Sequence, residues 1–444
     1  MESSSPSRFA GLWYAIPLMT VWSIYLLAYW PGGMSNDSID QWAQMLTFKF
    51  TDWHPAFHTL TNWLITRFWL SPATVVLTQI IALSVVLGWG LDVVRRFGAP
   101  RWMPWLAISF FAFMPSTGLM VIMLWKDVFY SISVVAFTVL IFKITMTEGM
   151  WIQQPAAWAC LGVFAALVAL YRQNGPIVAF GTLLCLLIVY QAMWKYWAFA
   201  LVLAFIIWMG IRGPVYDWVG VHKTSSPGVE IAFTHLIARY TNSDTLFSLE
   251  ERSLLRRIRP GENWPYNCYM EGPLFFDGKF NFTASMDRDL AILSAKLIYR
   301  NPKVFLEHLT CNSSFIFQIT QPSGSKYETT IPYIIPNQLG LVSESKLPGV
   351  KILLDHWTSE SLQSFNWIIW RVPFWEYLLL AGVIIYGVRS KNWKAFLVLV
   401  PILANMLPLA GFTAGQAFRY VFSTMLVSVL MSGFYFFKGV TQDD

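Results

Sequence analysis

Charge is what this chain has least of. Only 13% of its 444 residues are Asp, Glu, Lys or Arg, about half the share of a soluble globular protein. That composition excludes an ordinary soluble domain and a solvated, disordered chain. Nucleotide-binding signatures are missing too: there is no GxxxxGK[ST] loop and no Rossmann fingerprint. A nucleotide is therefore not expected as direct energy source or donor. Cysteine is scarce, with four residues and no metal-ligand spacing. No internal repeat, low-complexity tract or soluble linker interrupts the chain, and nothing in it points to nucleic acid.

Apolar residues fill the space that charge leaves. The chain is 56% hydrophobic, with 23 Trp and 34 Phe. Runs long enough to span a bilayer lie at about 11–30, 73–92, 102–121, 128–146, 156–171, 175–193, 196–212, 372–388, 393–410 and 417–437. The expected fold class is an all-α polytopic membrane protein of about 10 transmembrane helices. Arg8 precedes the first run without a small-residue cleavage site, which reads as a retained signal anchor. Arg95, Arg96, Arg101, Lys143, Lys195, Arg389, Lys391, Lys394 and Lys438 then share one face with Arg8. By the positive-inside tendency that face is cytoplasmic.

Three parts follow. Residues 1–212 form an N-terminal membrane module with a first outer loop at 31–72. Residues 213–371 have globular composition and read as an inserted α or α+β extracytoplasmic domain before the last three helices. Residues 372–444 form the C-terminal membrane module. Cys268 and Cys311 lie in the inserted part and can pair there. Asn281-Phe282-Thr283 and Asn312-Ser313-Ser314 match glycosylation acceptors.

The outer face collects the unusual residues. Its first loop carries Asp37 and Asp40 three apart, so a helix begun by Ser35 or Asn36 sets both on one face. His54 and His58 follow at helical spacing, with Pro55 suited to a first turn. The remaining clusters are Trp125-Lys126-Asp127, Tyr171-Arg172-Gln173-Asn174-Gly175 and Arg419-Tyr420. Ionisable groups at span ends are expensive there and mark functional sites. Sugar transfer to a hydroxyl needs a base, a role Asp37 can fill, with Asp40 assisting, orienting the acceptor or sharing a divalent ion with it. The same pair also suits a helix cap and its reciprocal partner. Lys126, Arg172 and Arg419 are fitted to neutralise a lipid-linked phosphate, or to snorkel to head groups. Lys126 and Asp127 can equally be a local charge pair. Two histidines alone do not make a metal site; they also suit an interfacial helix among Trp53, Phe57 and Trp63.

In order and sidedness these motifs resemble the GT-C superfamily of polytopic glycosyltransferases, bacterial type. The residues that carry the resemblance are Ser35/Asp37/Gln41, His54-Pro55, Trp125-Lys126-Asp127 and Arg419-Tyr420. It covers about 1–212 and 372–437 and leaves 213–371 aside. It implies transfer of a sugar from a polyprenyl-phosphate donor to a glycan, lipid or protein acceptor, within membrane lipids. The site would lie on the extracytoplasmic side of a bacterial inner membrane. It further implies Asp37 as base and the basic span ends, Lys126, Arg172 and Arg419, on the donor phosphate; Asp40 stands beside Asp37 as the second catalytic candidate on the chemistry of the loop itself. Gln41, His54, Asn174 and Tyr420 would contact substrate, with no cofactor beyond a possible divalent cation. An O-antigen ligase or polymerase-like enzyme, and a lipid-linked-sugar flippase, are the competing readings.

Overall fold

The computed structural model describes residues 10–223, 227–261, 264–275, 279, 286–413 and 415–437. Among them regular structure is helical, and strand-like pairing is limited to isolated bridges. The fold is that of a helical membrane protein. Arg8, Lys438 and the Asn281 triplet lie outside the described residues.

The N-terminal half contains α1 (Ala10–Ala28), α2 (Asn36–Thr47), α3 (Ala56–Ile65), α4 (Pro72–Arg96), α5 (Met103–Phe113) and α6 (Pro115–Val121). It continues with α7 (Lys126–Met146), α8 (Pro155–Tyr171), α9 (Gly175–Val189) and α10 (Trp194–Gly210). Among the described residues, length and apolarity qualify six helical stretches as membrane spans: those of α1, α4 and α7, then Gln191–Trp218, Trp393–Gly411 and Phe418–Phe436. The pair α5–α6 makes a seventh if counted as one span, bent by 67° where Pro115 opens the second helix. All ten expected runs are helical, but α8 and α9 have only 17 and 15 residues.

α7 is the axis of the bundle. It is apolar on every side, the pattern of a helix enclosed by others, and nearly all of it is buried against α4, α8 and the last helix. Its first residues are Lys126 and Asp127, so a buried helix delivers two charges at its end. α4 begins with Ser71 accepting from the Ala73 amide and Pro72 in the first turn, a combination that satisfies an end N–H and presets the backbone.

The segment 213–371 divides between two cores. α11 (Pro227–Thr241), α12 (Leu249–Ile258), α13 (Asp287–Arg300) and α14 (Pro302–Asn312) close over Tyr240, Trp264, Leu290 and Leu297. A reciprocal Ser248–Glu251 cap starts α12. By contrast Phe315, Ile334, Ile369 and Trp370 belong to the large hydrophobic core shared with the helical bundle, and residues of α15 (Ser314–Phe317) and α16 (Pro348–Gln363) pack on it. The chain ends in α17 (Pro373–Ser390), α18 (Val400–Phe412) and α19 (Phe418–Leu430).

Residues 415–418, which lead into α19, are held from outside. The Gln416 amide donates to the Tyr269 carbonyl (3.0 Å), the Glu328 amide to Gln416 (2.9 Å) and the Phe418 amide to Glu328 (2.8 Å). The Gln416 side chain donates to the Cys311 and Asn312 carbonyls. Cys268 and Cys311 form a disulfide across 43 residues, with Cα atoms 5.9 Å apart. Loop closure of that size stabilises by roughly 4 kcal/mol in the chain-entropy model. Reducing the bond, or replacing both cysteines by serine, should therefore lower the thermal midpoint of the purified protein by many degrees. An unchanged midpoint would show that the clamp does not depend on it. Asn312 is buried and donates to the Thr413 carbonyl, so that acceptor triplet is enclosed.

Candidate functional site

The first loop is threaded before it turns into α2. The Gly33 amide donates to the Ile122 carbonyl and Leu124 donates back to Gly33, both at 3.0 Å. On the other side Met34 donates to Tyr333 and Ile335 to Met34. A Cβ at Gly33 would overlap Met123 and the Ile331 carbonyl, so only glycine fits between the two segments. Ser35 precedes α2, but its hydroxyl makes no cap; it accepts from the Trp125 indole at 2.8 Å. Asp37 sits inside the first turn and is not the capping residue. The α2–α3 loop is pinned by Gln173, whose amide donates to the Trp53 carbonyl. Pro55 falls just outside α3 and precedes its first residue.

These constraints bring four separated side chains together. Arg419 Nη1 donates to Asp37 Oδ2 at 2.9 Å, across 382 residues of sequence. His54 Nε2 lies 3.5 Å from Asp37 Oδ1, and Lys126 Nζ lies 3.0 Å from His54 Nδ1. An ammonium has only hydrogens to offer, so Nδ1 accepts and the imidazole proton sits on Nε2, facing Asp37. The order Lys126–His54–Asp37–Arg419 is thus one continuous chain of charge and hydrogen bonds. Burial would raise the Asp37 carboxyl, but the His54 hydrogen bond and the charges of Arg419 and Lys126 outweigh it and hold it well below the usual range. Burial, and next the Lys126 charge, push His54 down, against the pull of Asp37.

Behind this row lies a second one. Arg172 Nη1 is 3.1 Å from Asp127 Oδ1, with Asp127 almost wholly buried. Asp127 is therefore the partner of Arg172 in space rather than of its neighbour Lys126. The Arg172 guanidinium lies 4.8 Å from the Tyr420 ring, and that of Arg419 5.2 Å from the same ring. Arg419 also covers Trp125 at 5.1 Å. Such cation–ring contacts suit partly desolvated arginines. Asn174 donates to Asn405 Oδ1, which also accepts from the Tyr130 hydroxyl, while Asn405 Nδ2 donates to the Tyr420 carbonyl.

Hydrogen-bonding capacity is left unspent there. Arg419 Nε, Asn174 Oδ1 and both Asp127 oxygens are buried without an aligned partner. Buried polar atoms of that kind ask for an explanation. Arg419 and Arg172 are each paired with a carboxylate, whereas Lys126 lies against His54 Nδ1. Glu271 and Glu328 border this centre, and each interacts with the Arg419 charge. Burial, augmented by the Glu328 charge, lifts Glu271 to about 7.

Other expected site residues stand apart. Asp40 is exposed and accepts from Gln44 at 2.7 Å. Gln41 is buried between α2 and α3 and donates to the Thr59 hydroxyl. His58 parts from His54: it is fully buried, beside Asn62 and the Phe129 ring. Among the described residues no group of three or more His, Cys, Asp or Glu is placed to hold a metal. Asn405, Tyr130 and Glu271 escaped the sequence reading. Asn405 had a usable signal, a lone amide in an apolar run; Glu271 had none.

Burial pushes both His58 and His308 down to about 3. The folded state keeps them neutral, whereas the unfolded chain takes up protons near pH 6.5. Stability therefore falls as pH drops below about 6.5, by about 2 kcal/mol per histidine at pH 5. Glu271 works the other way, because a carboxyl lifted to about 7 takes up its proton in the folded state first. The readout is therefore a difference between proteins: the change in thermal midpoint from pH 7.5 to 5 should be less unfavourable in His308→Asn protein than in wild type.

No family model matches the sequence, and no curated protein matches it. Among solved structures the chain is similar to the oligosaccharyltransferase AglB from Archaeoglobus fulgidus, determined with an inhibitory peptide and a dolichol-phosphate. The identity is 14% and the TM-score 0.42, over 97% of this chain and 50% of that one. The chain thus spans about half the length of that protein.

Proposed function

We propose that the protein is an integral-membrane glycosyltransferase of GT-C type. It takes a sugar from a polyprenyl-phosphate donor and passes it to a hydroxyl or similar acceptor group at the outer face. The observation that carries this reading is the chain Lys126–His54–Asp37–Arg419, assembled from four separate segments at one end of the bundle. A carboxylate gripped by cations, beside unspent donors, is what a reaction with an anionic leaving group requires.

In this reading the donor phosphate competes with Asp37 for Arg419. Once the guanidinium turns to the phosphate, Asp37 loses the cation that depresses its basicity. The acceptor hydroxyl then gives its proton to Asp37 as its oxygen bonds to the anomeric carbon. The bond from that carbon to the phosphate oxygen breaks, and the phosphate leaves as an anion held by Arg419, Lys126 and Arg172. His54 keeps Asp37 oriented. Asn174 and Tyr420 line the donor side, Gln41 braces α2 against α3, and Asp40 contributes from the rim.

The test is transfer of radiolabel from a panel of polyprenyl-phosphate sugars by the protein reconstituted in vesicles. Label reaching an acceptor with wild-type and not with Asp37→Asn protein supports the reading; folded protein that moves no sugar in the panel ends it. The topology that accompanies it has ten crossings, both termini inside, and 213–371 outside. Impermeant thiol reagent should reach cysteines placed between 230 and 350 and miss one placed at Phe97. The reverse would put the charged centre on the wrong side.

A further inference from the structure

A further cavity lies among the C-terminal helices, and none of the residues of the charged centre lines it. It has a volume of about 220 Å³ and opens between α15, α17, α18 and α19. Ile316, Leu379, Ile402 and Met406 make its walls aliphatic. α17 packs on α19 and on residues 393–399 but is not close-packed against α18. At the mouth of that gap Leu380 and Leu403 are exposed, which in a membrane protein means exposed to lipid.

Two groups break the apolar lining. Glu376, in the first turn of α17, has a buried carboxyl oxygen without a partner, and the buried Ser428 hydroxyl has none either. The third polar group, Tyr377, is committed to the Phe317 carbonyl at 2.6 Å. Leaving buried polar atoms unpaired is destabilising, and an ionisable group at membrane depth defaults to a functional role. A carboxyl in apolar surroundings is favoured in its neutral form and then offers an O–H. The serine offers a second. Two donors lining one apolar cavity call for an acceptor from its occupant.

We propose that this cavity binds one chain of a membrane phospholipid, with an ester carbonyl accepting from Glu376 and Ser428. The cavity is smaller than a drug-sized pocket, so it takes part of one chain and leaves the head group outside. An isoprenoid chain would fill the walls equally well but carries no acceptor at that depth. Glu376 stands in the first turn of α17, near one end of that helix, and the gap between α17 and α18 gives lateral entry from the bilayer. The site would anchor the α17–α18 pair and does not depend on the reading of the charged centre.

The experiment uses the full-length protein in phosphatidylcholine nanodiscs. One arm contains phosphatidylcholine with a diazirine on its acyl chain; the other contains a diazirine-bearing polyprenyl phosphate. After illumination, cross-links are mapped by peptide mass spectrometry. The acyl probe should label 376–380 and 399–406 several-fold more than the exposed Leu106 and Phe113 on α5. Glu376→Leu should cut that labelling several-fold, and Glu376→Gln, which keeps a donor, should restore most of it. If Glu376→Leu does not fold, Leu403→Trp at the exposed mouth should block entry instead. Uniform labelling of all lipid-facing helices, labelling indifferent to these variants, or preference for the isoprenoid probe overturns the proposal. Sugar-transfer activity is not read in this assay, so its failure and a failure of the transferase reading remain distinguishable.

Discussion

Asp37→Asn protein should fold and should lose sugar transfer by about two to four orders of magnitude, the usual contribution of a positioned general base. The fold should survive because Asp37 is not the cap of α2; Ser35 holds that position. Asparagine has the same shape, and its carbonyl oxygen can still accept from Arg419, now 2.9 Å from Asp37. What disappears is the negative charge and the capacity to take a proton. The arginine then loses its counter-charge, so a modest fall in thermal midpoint is expected alongside the activity loss. Rates are therefore to be compared per folded molecule. A structural ion pair behaves differently: the midpoint drops and the rate per folded molecule stays. That second result would leave the enzyme without a base and favour a ligase-like chemistry that relies on basic residues and histidine.

The polar clusters were legible because so little else in the chain is charged. Asp37, Lys126, Arg172 and Arg419 stand out against apolar runs, and alternation of spans assigns them to one face. Their pairing was not legible. Lys126 and Asp127 are adjacent, and adjacency suggested a local pair; in α7 consecutive side chains point about 100° apart, and Asp127 turns inward to Arg172 while Lys126 reaches His54. Asp37 and Asp40 share a spacing that a helix brings to one side, yet only Asp37 faces Arg419, and Asp40 stays with Gln44. The threading of 33–34 between 122–124 and 333–335 rests on backbone hydrogen bonds, which carry no sequence signature apart from Gly33. Hydropathy found the helical runs. It did not distinguish which of several equally apolar helices is central, because that depends on side-chain packing.

Arg419→Ala should raise the KM for donor by about 10- to 100-fold, the effect of losing a charge-assisted contact worth roughly 1.5–3 kcal/mol. The loss should fall on donor binding more than on turnover, for a reason that lies in the free protein. Arg419 is the main cation on Asp37, after the His54 hydrogen bond, in lowering its basicity. That grip belongs to the free protein: with donor bound the guanidinium has already left the carboxyl, so Arg419→Ala leaves the base of the loaded site as it was. With donor saturating, kcat should therefore fall less than kcat/KM. Arg419→Lys keeps the charge but forfeits the planar fork and the contact with Trp125 at 5.1 Å, so it should lie between wild-type and alanine. Because Asp37 and Arg419 touch, their effects should not add. In the Asp37→Asn background, Arg419→Ala should still weaken donor binding, measured directly with labelled lipid phosphate, since the phosphate contact survives loss of the base. If donor affinity is unchanged by Arg419→Ala in both backgrounds while stability drops in each, Arg419 serves only to hold Asp37. The donor phosphate must then be bound by Lys126 and Arg172 alone.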